Sequence, residues 1–252
     1  MIVRGDFSRL AHDYAKFRPG YSLDVAHAII GIARQPKSML LAVDVGAGTG
    51  IWTRTLQEAG ISTLVAVEPN DEMRAQGEAA SVGIDWKKGT AEQTGIEKGS
   101  IDLLTMASAF HWADTEVALA EFNRVLRHDG ILALLWNPRS VEKSPEETRV
   151  QELLDNHYRI GPRVSSGRGG ITNRLTDLLS DQPLWRDVIY CEAHHERTIT
   201  AQEYIGTWRS VNDIRNQLGE EQFSEFLEKI AEYLDDTITV HYVTRAWIAR
   251  AR

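Results

Sequence analysis

A glycine-rich turn, Gly46-Ala47-Gly48-Thr49-Gly50, follows the apolar run Met39 to Val45 and precedes a helical stretch that starts at Ile51. Glycine lets a backbone turn sharply and approach a ligand with no Cβ in the way. The helix start beyond it offers N–H groups to a carboxylate or phosphate. Asp44 stands just before the turn. Glu68 closes the next apolar run, in Val67-Glu68-Pro69, where a carboxylate can accept both hydroxyls of a ribose. Thr90-Ala91-Glu92 comes just after a third strand, at a place from which an adenine can be read. These features describe a pocket for a nucleoside that carries a polar tail. The dinucleotide fingerprint is spaced G-x-G-x-x-G. Here the glycines fall as G-x-G-x-G and Ile51 comes next, which disfavours NAD or FAD and leaves a plain structural turn as the bland alternative.

Other side chains suggest chemistry beyond that pocket. His111 follows the fourth strand, where a ligand would meet a catalytic group, and its intrinsic pKa suits proton transfer near neutrality. The competing reading is that it packs beside Trp112 and orients the loop. Phe110 and Trp112 either shape an apolar pocket, where an aromatic face can meet a cation, or belong to the core. Arg163, Arg168 and Arg174 flank a stretch rich in Gly, Ser and Arg and could clamp an anion, although that composition favours a solvated, flexible loop. Tyr204 and Trp208 sit one helical turn apart on one face, with Arg209 beside them. They line a pocket or pin the helix. No metal site is expected. Cys191 is the single cysteine, no Cys/His cluster has zinc spacing, and the adjacent His194 and His195 on a strand would point to opposite faces.

The elements that must position these groups alternate. Apolar runs at 39–45, 62–67, 84–87, 101–107 and 131–136 read as strands. Helical spacing falls between them at 51–60, 71–80 and 115–126, and Asp129-Gly130 reads as a turn. Such alternation implies a parallel sheet with right-handed crossovers, and continuous apolar runs imply strands buried on both faces. The pattern then changes to a helix over 146–158, the Gly-rich stretch 161–173, a strand over 185–198, an amphipathic helix over 220–234 and a closing edge strand over 237–249. The expected organisation is an N-terminal cap and ligand-binding core over 1–137, a helical insertion covering the acceptor site over 138–183, and completion of the sheet over 184–252.

The balance of 28 Lys+Arg against 36 Asp+Glu, net charge −8, argues against a phosphate-backbone partner. Neither a membrane-spanning run nor a signal peptide is apparent. A cytoplasmic chain, monomer or homodimer, without nucleic acid or membrane as partner, is expected.

Several motifs carry a resemblance. Val43-Asp44-Val45-Gly46-Ala47-Gly48-Thr49-Gly50 resembles the first motif of the class I S-adenosylmethionine (SAM)-dependent methyltransferases. Val67-Glu68-Pro69-Asn70-Asp71-Glu72-Met73 resembles the second, and Ser100 to Leu104 with Ala107-Ser108-Ala109-Phe110-His111-Trp112 resembles the fourth-strand motif. Leu126-Arg127-His128-Asp129-Gly130 is similar to the turn before strand five, with His128-Asp129 in place of Pro-Gly. Phe7 to Tyr14 and Phe17-Arg18-Pro19-Gly20-Tyr21 resemble the leading segment of a small-molecule branch that includes trans-aconitate methyltransferase. The resemblance implies a doubly wound, Rossmann-like α/β fold: a seven-stranded, mostly parallel sheet with an antiparallel edge strand and a helical cover after strand five. It implies SAM as cofactor, S-adenosylhomocysteine as product and a small-molecule substrate. Gly46 and Gly48 would approach the methionine portion, with Ser108 near its amine. Glu68 would hold the ribose; Met73, Thr90, Ala91 and Glu92 the adenine; and Asp44, Ala47, Pro69, Ala109 and Phe110 would also bind the cofactor. Tyr14 and Arg18 would close over the cofactor, with His111 as catalytic base and Tyr21, Trp112, Arg168, Tyr204 and Trp208 toward the acceptor. A non-catalytic SAM-binding protein and a nicotinamide-dependent oxidoreductase are the competing readings.

Overall fold

The computed structural model describes residues 11–33, 35–161, 163, 167 and 169–252. Arg168, and Phe7 to Leu10 of the leading segment, lie outside the described residues.

The expected alternation forms. Strands β1 (Leu41–Val45), β2 (Thr63–Val67), β3 (Ile84–Lys87), β4 (Ile101–Ala107) and β5 (Leu126–Trp136) are linked by helices, among them α3 (Ile51–Glu58), α4 (Asp71–Ala80) and α5 (Thr115–Val125). Helices α1 (Ala11–Phe17) and α2 (Leu23–Ile32) precede the sheet. The strand order is β3-β2-β1-β4-β5-β7-β6. β1 to β5 pair in parallel, and the antiparallel edge is two strands wide. β7 (Thr237–Ala251) runs against β5, and β6 (Trp185–Thr200) runs against β7 on the outside. Thr237–Ala249, expected as the closing strand, is therefore the inner member of that edge.

Each central strand is apolar on both sides because both faces are covered. Val43, Val45 and Leu104 point into one layer, and Ala42, Leu103 and Ala133 into the other. Full burial of such a side chain contributes roughly 1.5–3 kcal/mol. Side-chain caps fix the helix starts beside the sheet: Asn70 accepts from Met73 N and Asp114 from Val117 N. The Asp129-Gly130 turn survives as a bulge within β5, where Ile101 pairs with Leu126 and Leu103 with Ile131. Asp129 there takes a φ of 68°, a left-handed value that Asp tolerates better than most residues.

A third cluster builds the cover. α6 (Pro145–Glu152) continues through a π-helical turn, Leu153–Tyr158, as the 146–158 spacing predicts. It packs Val150 and Leu154 against α8 (Ala201–Arg209) and α9 (Asn212–Ala231). Gly219, with φ 75° and ψ 169°, kinks α9, so the 220–234 pattern marks only its second half. The cover thus draws on the stretch after β5 and on the helices between β6 and β7.

In the order 3-2-1-4-5 the winding reverses between β1 and β4, and ligands collect outside the carboxyl ends of strands at such a point. The candidate site lies there.

Candidate active site

The glycine turn is held open by geometry only glycine adopts readily. Gly46, Gly48 and Gly50 have φ of 65°, 58° and 75°. A Cβ on Gly46 would stand 2.8 Å from the Cβ of Ala109. The N–H groups of Gly46 and Ala47 both donate to the Val67 carbonyl, at 2.8 and 3.1 Å, which ties the turn to the end of β2.

Glu68 sits beside the turn. Its Oε2 accepts from Gly48 N at 2.8 Å and its Oε1 from Asn70 N at 2.9 Å. Burial pushes its pKa up, opposed by those two backbone donors. Each carboxylate oxygen can accept a second hydrogen bond. The group is thus fixed in place with acceptor capacity left for vicinal hydroxyls. A turn without Cβ atoms, this carboxylate and the small Ala91 in the same cavity wall fit SAM.

Asp44 has a different job from the one expected. It is fully buried and accepts from Thr53 Oγ1 at 2.6 Å and Thr105 Oγ1 at 3.1 Å, so it bolts β1 to α3 and β4 beneath the turn. It does not line the cavity. Burial raises its pKa to about 7 against the pull of the two hydroxyls.

The cavity has a volume of about 390 Å³. Its wall includes the expected Tyr14, Arg18, Tyr21, Gly46, Ala47, Gly48, Glu68, Pro69, Met73, Thr90, Ala91, Glu92, Ser108, Ala109, Trp112, Arg163 and Trp208. Ser108 takes a φ of 51°, unusual for a residue with a side chain. It is held by its N–H on the Leu135 carbonyl at 2.7 Å and by the Tyr21 hydroxyl, which donates to its Oγ at 3.1 Å. Arg18 lies over the Tyr14 ring, 4.8 Å from its centroid, and donates to the Ser210 carbonyl at 3.0 Å.

Three expected residues stand behind the wall. Phe110 is fully buried against Phe122, their ring centroids 6.2 Å apart. His111 packs on Trp112 at 4.6 Å and Trp136 at 6.3 Å, and both its ring nitrogens are buried without a hydrogen-bond partner. Burial lowers its pKa to about 4, so the ring is neutral at pH 7. Tyr204 is fully buried beneath Arg139, whose guanidinium carbon lies 5.1 Å from its ring centroid. The separation has a local cause. Phe110–Trp112 is a 3-10 turn, so consecutive side chains point three ways and only Trp112 reaches the cavity. Arg174 and Arg209 are not in the wall.

Sequence reasoning missed other residues of the wall: Trp136, Asn137, Arg139, Glu147, Asp213 and Tyr242. Asn137 is the hub there. Its Oδ1 accepts from Thr244 Oγ1 at 2.7 Å and lies 2.9 Å from His195 Nε2, while its Nδ2 donates to the Gly20 carbonyl at 3.0 Å. Arg139 donates to Thr207 Oγ1 at 2.6 Å and stands 3.5 Å from Glu147 Oε1. A polar residue after an apolar strand was the one available signal, present at Asn137. Among the described residues no group of His, Cys, Asp and Glu could hold a metal ion, and no helix is long and apolar enough to cross a membrane.

Comparison with known proteins agrees with this geometry. Residues 43–134 match the family described as "Methyltransferase domain". An uncharacterized methyltransferase of Mycobacterium tuberculosis is 36% identical over 126 residues, 50% of this chain and 49% of that protein. The chain thus spans about half the length of that relative. A probable S-adenosylmethionine-dependent methyltransferase of Saccharomyces cerevisiae is 25% identical over 245 residues, 87% of this chain and 78% of its own length. A solved structure from Anaeromyxobacter dehalogenans, named a "putative type II methyltransferase", shares the fold at 20% identity, with a TM-score of 0.67 over 93% of this chain and 98% of that one. Residues 43–134, which hold the glycine turn and Glu68, are thus similar to a methyltransferase domain, in a sheet of the order expected for the class I SAM-dependent methyltransferases.

Proposed function

We propose that this chain transfers the methyl group of SAM to a small organic acceptor by in-line displacement. One observation carries the reading: a single cavity joins the glycine turn and Glu68 to an enclosed wall of Asn137, Arg139, Thr207, Trp208 and Tyr242. Its volume is in the range of small-ligand pockets, and the net charge of −8 speaks against nucleic acid.

SAM, when bound, supplies an electrophilic methyl carbon. The protein's share is orientation and exclusion of water. Ser108, fixed by Tyr21, and the rings of Trp52, Trp112 and Trp136 line the cavity. Holding two reactants in line can contribute roughly 7–11 kcal/mol in the best cases. For an acceptor that arrives protonated, the wall carries Glu147 and Asp213 besides Glu68 and Glu92. We assign His111 to the support of Trp112 and Trp136.

The test is transfer of label. Protein is incubated with methyl-labelled SAM and with separated low-mass, RNA and protein fractions of a cell extract. Label in the low-mass fraction supports the reading. Label confined to RNA or protein overturns the small-molecule acceptor. Stabilisation by NAD and not by SAM overturns the cofactor. SAM binding without transfer to any fraction leaves a binding protein and removes the activity.

A further inference from the structure

We propose that Asn137 is a positioning residue for the ligand cavity: it pins residues 20–22 and, through Tyr21, holds Ser108 in its left-handed turn beside the glycine loop. The proposal rests on the methyl-transfer reading and adds the residue that keeps these parts of the wall in register.

Segments far apart in the chain are tied together at this amide. Asn137 follows β5, residues 20–22 precede α2, Ser108 follows β4, His195 lies in β6 and Thr244 in β7. Asn137 Nδ2 donates to the Gly20 carbonyl at 3.0 Å. Thr244 Oγ1 donates to Asn137 Oδ1 at 2.7 Å and accepts from Ser22 N at 2.9 Å. Ser22 and Thr244 are buried, so water competes little for these bonds. The chain is thus fixed on both sides of Tyr21. The Tyr21 hydroxyl donates to Ser108 Oγ at 3.1 Å, and its ring meets Trp52 edge-on, the centroids 5.3 Å apart.

These partners demand an amide. Gly20 offers a carbonyl oxygen, so the NH₂ of Asn137 faces it and Oδ1 is left to the other side. There the Thr244 hydroxyl donates to Oδ1, and His195 Nε2 stands 2.9 Å from the same oxygen. Two acceptors at that distance repel, so His195 carries a proton on Nε2. Aspartate in place of Asn137 would set a carboxylate oxygen against the Gly20 carbonyl. The bonds also converge on the cavity. Tyr21, Ser108 and Asn137 line it, as does Tyr242, on which the His195 ring stacks at 5.3 Å. Ser108 holds a φ of 51°, a conformation that persists where its surroundings over-determine it. The next residue, Ala109, stands 2.8 Å from where a Cβ on Gly46 would lie. The turn at Ser108 and the glycine turn are therefore in close contact, and a shift of one is felt at the other.

The experiment is a double-mutant cycle on the full chain, read by calorimetry with S-adenosylhomocysteine. Tyr21→Phe keeps the ring and removes the hydroxyl; Asn137→Ala removes the amide. Each should weaken binding by roughly 3- to 10-fold, the worth of one hydrogen bond. Both changes break the same chain of contacts, so the double variant should bind within about twofold of the weaker single one. Asn137→Asp keeps an oxygen for Thr244 and His195 and loses only the Gly20 contact. It should weaken binding as Asn137→Ala does, and it carries the test if the alanine variant does not fold. Long-range proton–nitrogen NMR of the ligand-free protein at neutral pH, with His195 identified by the signal lost in His195→Gln, should show the proton on Nε2. Asn137 variants that bind within about twofold of the wild type overturn the proposal, as do single losses that multiply in the double variant, the result expected if Asn137 only braces the sheet edge. A His195 ring protonated on Nδ1 alone overturns it as well. Failure of the wild-type chain to bind S-adenosylhomocysteine overturns the methyl-transfer reading, and this proposal with it.

Discussion

Replacing Glu68 with glutamine separates the ligand role of this carboxylate from its structural one. In the native chain each oxygen accepts one backbone N–H, Gly48 at 2.8 Å and Asn70 at 2.9 Å. Glutamine has one carbonyl oxygen, so its NH₂ faces one of those donors and a hydrogen bond to a charged group, about 1.5–3 kcal/mol, is lost. Burial already opposes the ionised form of Glu68, and removing the charge returns part of that cost. The two effects have opposite sign, and the stability of the free protein should change by only about 1 kcal/mol. Ligand binding has no such compensation. A ribose that donates both hydroxyls to this group loses one or two charge-assisted hydrogen bonds, so the affinity for S-adenosylhomocysteine should fall at least 10- to 100-fold, by roughly 1.5–3 kcal/mol per bond. Calorimetry of Glu68→Gln, paired with a thermal melt of the ligand-free protein, reads both numbers. An affinity within about threefold of the wild type, in a protein that melts normally, would refute the ribose assignment.

Further expectations come from the same geometry. Gly46→Ala should abolish binding and cost about 1–3 kcal/mol, because φ 65° penalises an L side chain and the new Cβ lies 2.8 Å from Ala109, whereas Gly31→Ala, facing open space on α2, should stabilise by about 0.5–1 kcal/mol. For Asp44, raised to about 7, the folded state binds more protons than the unfolded one between the ordinary aspartate range and pH 7. Stability should therefore fall as pH rises through that window, and Asp44→Asn should flatten the dependence in melts from pH 4 to pH 8. His111, lowered to about 4, has the opposite sign: the unfolded state takes up the proton first, so stability should fall as pH drops from 6.5 toward 4. His111→Phe should remove that acid sensitivity and hold turnover at pH 7 within about threefold; a hundredfold loss of kcat with unchanged cofactor affinity would restore the base role.

The part of the cavity built on the glycine turn was legible in the sequence because local rules govern it. Strands buried on both faces leave unbroken apolar runs, and left-handed backbone leaves glycines at 46, 48 and 50. Glu68 follows such a run directly. The rest of the wall obeys no local rule. Arg139, Glu147, Arg163 and Asp213 come from four separate segments, and only the packing of α6, α8 and α9 brings them together. Tyr204 and Trp208 share a helix face, yet Trp208 lines the cavity and Tyr204 lies deeper, under Arg139. The Phe110–Trp112 turn shows the limit at the scale of one residue. The sequence leaves each of the three rings open between the ligand and the core, and the 3-10 geometry sends Phe110 to the core, His111 behind the wall and Trp112 to the cavity. The first half of α9 went unseen because Gly219 breaks the helical spacing.

The central claim is that this cavity holds SAM beside a small acceptor and passes the methyl between them. Mass spectrometry after incubation with trideuteromethyl-SAM and the low-mass, RNA and protein fractions of a cell extract tests it most directly. The account predicts S-adenosylhomocysteine formed only when acceptor is present, with the trideuteromethyl group recovered in one low-mass product, and neither formed by Gly46→Ala. Trideuteromethyl recovered only in RNA or protein, or SAM bound and returned intact in the presence of every fraction, would contradict it.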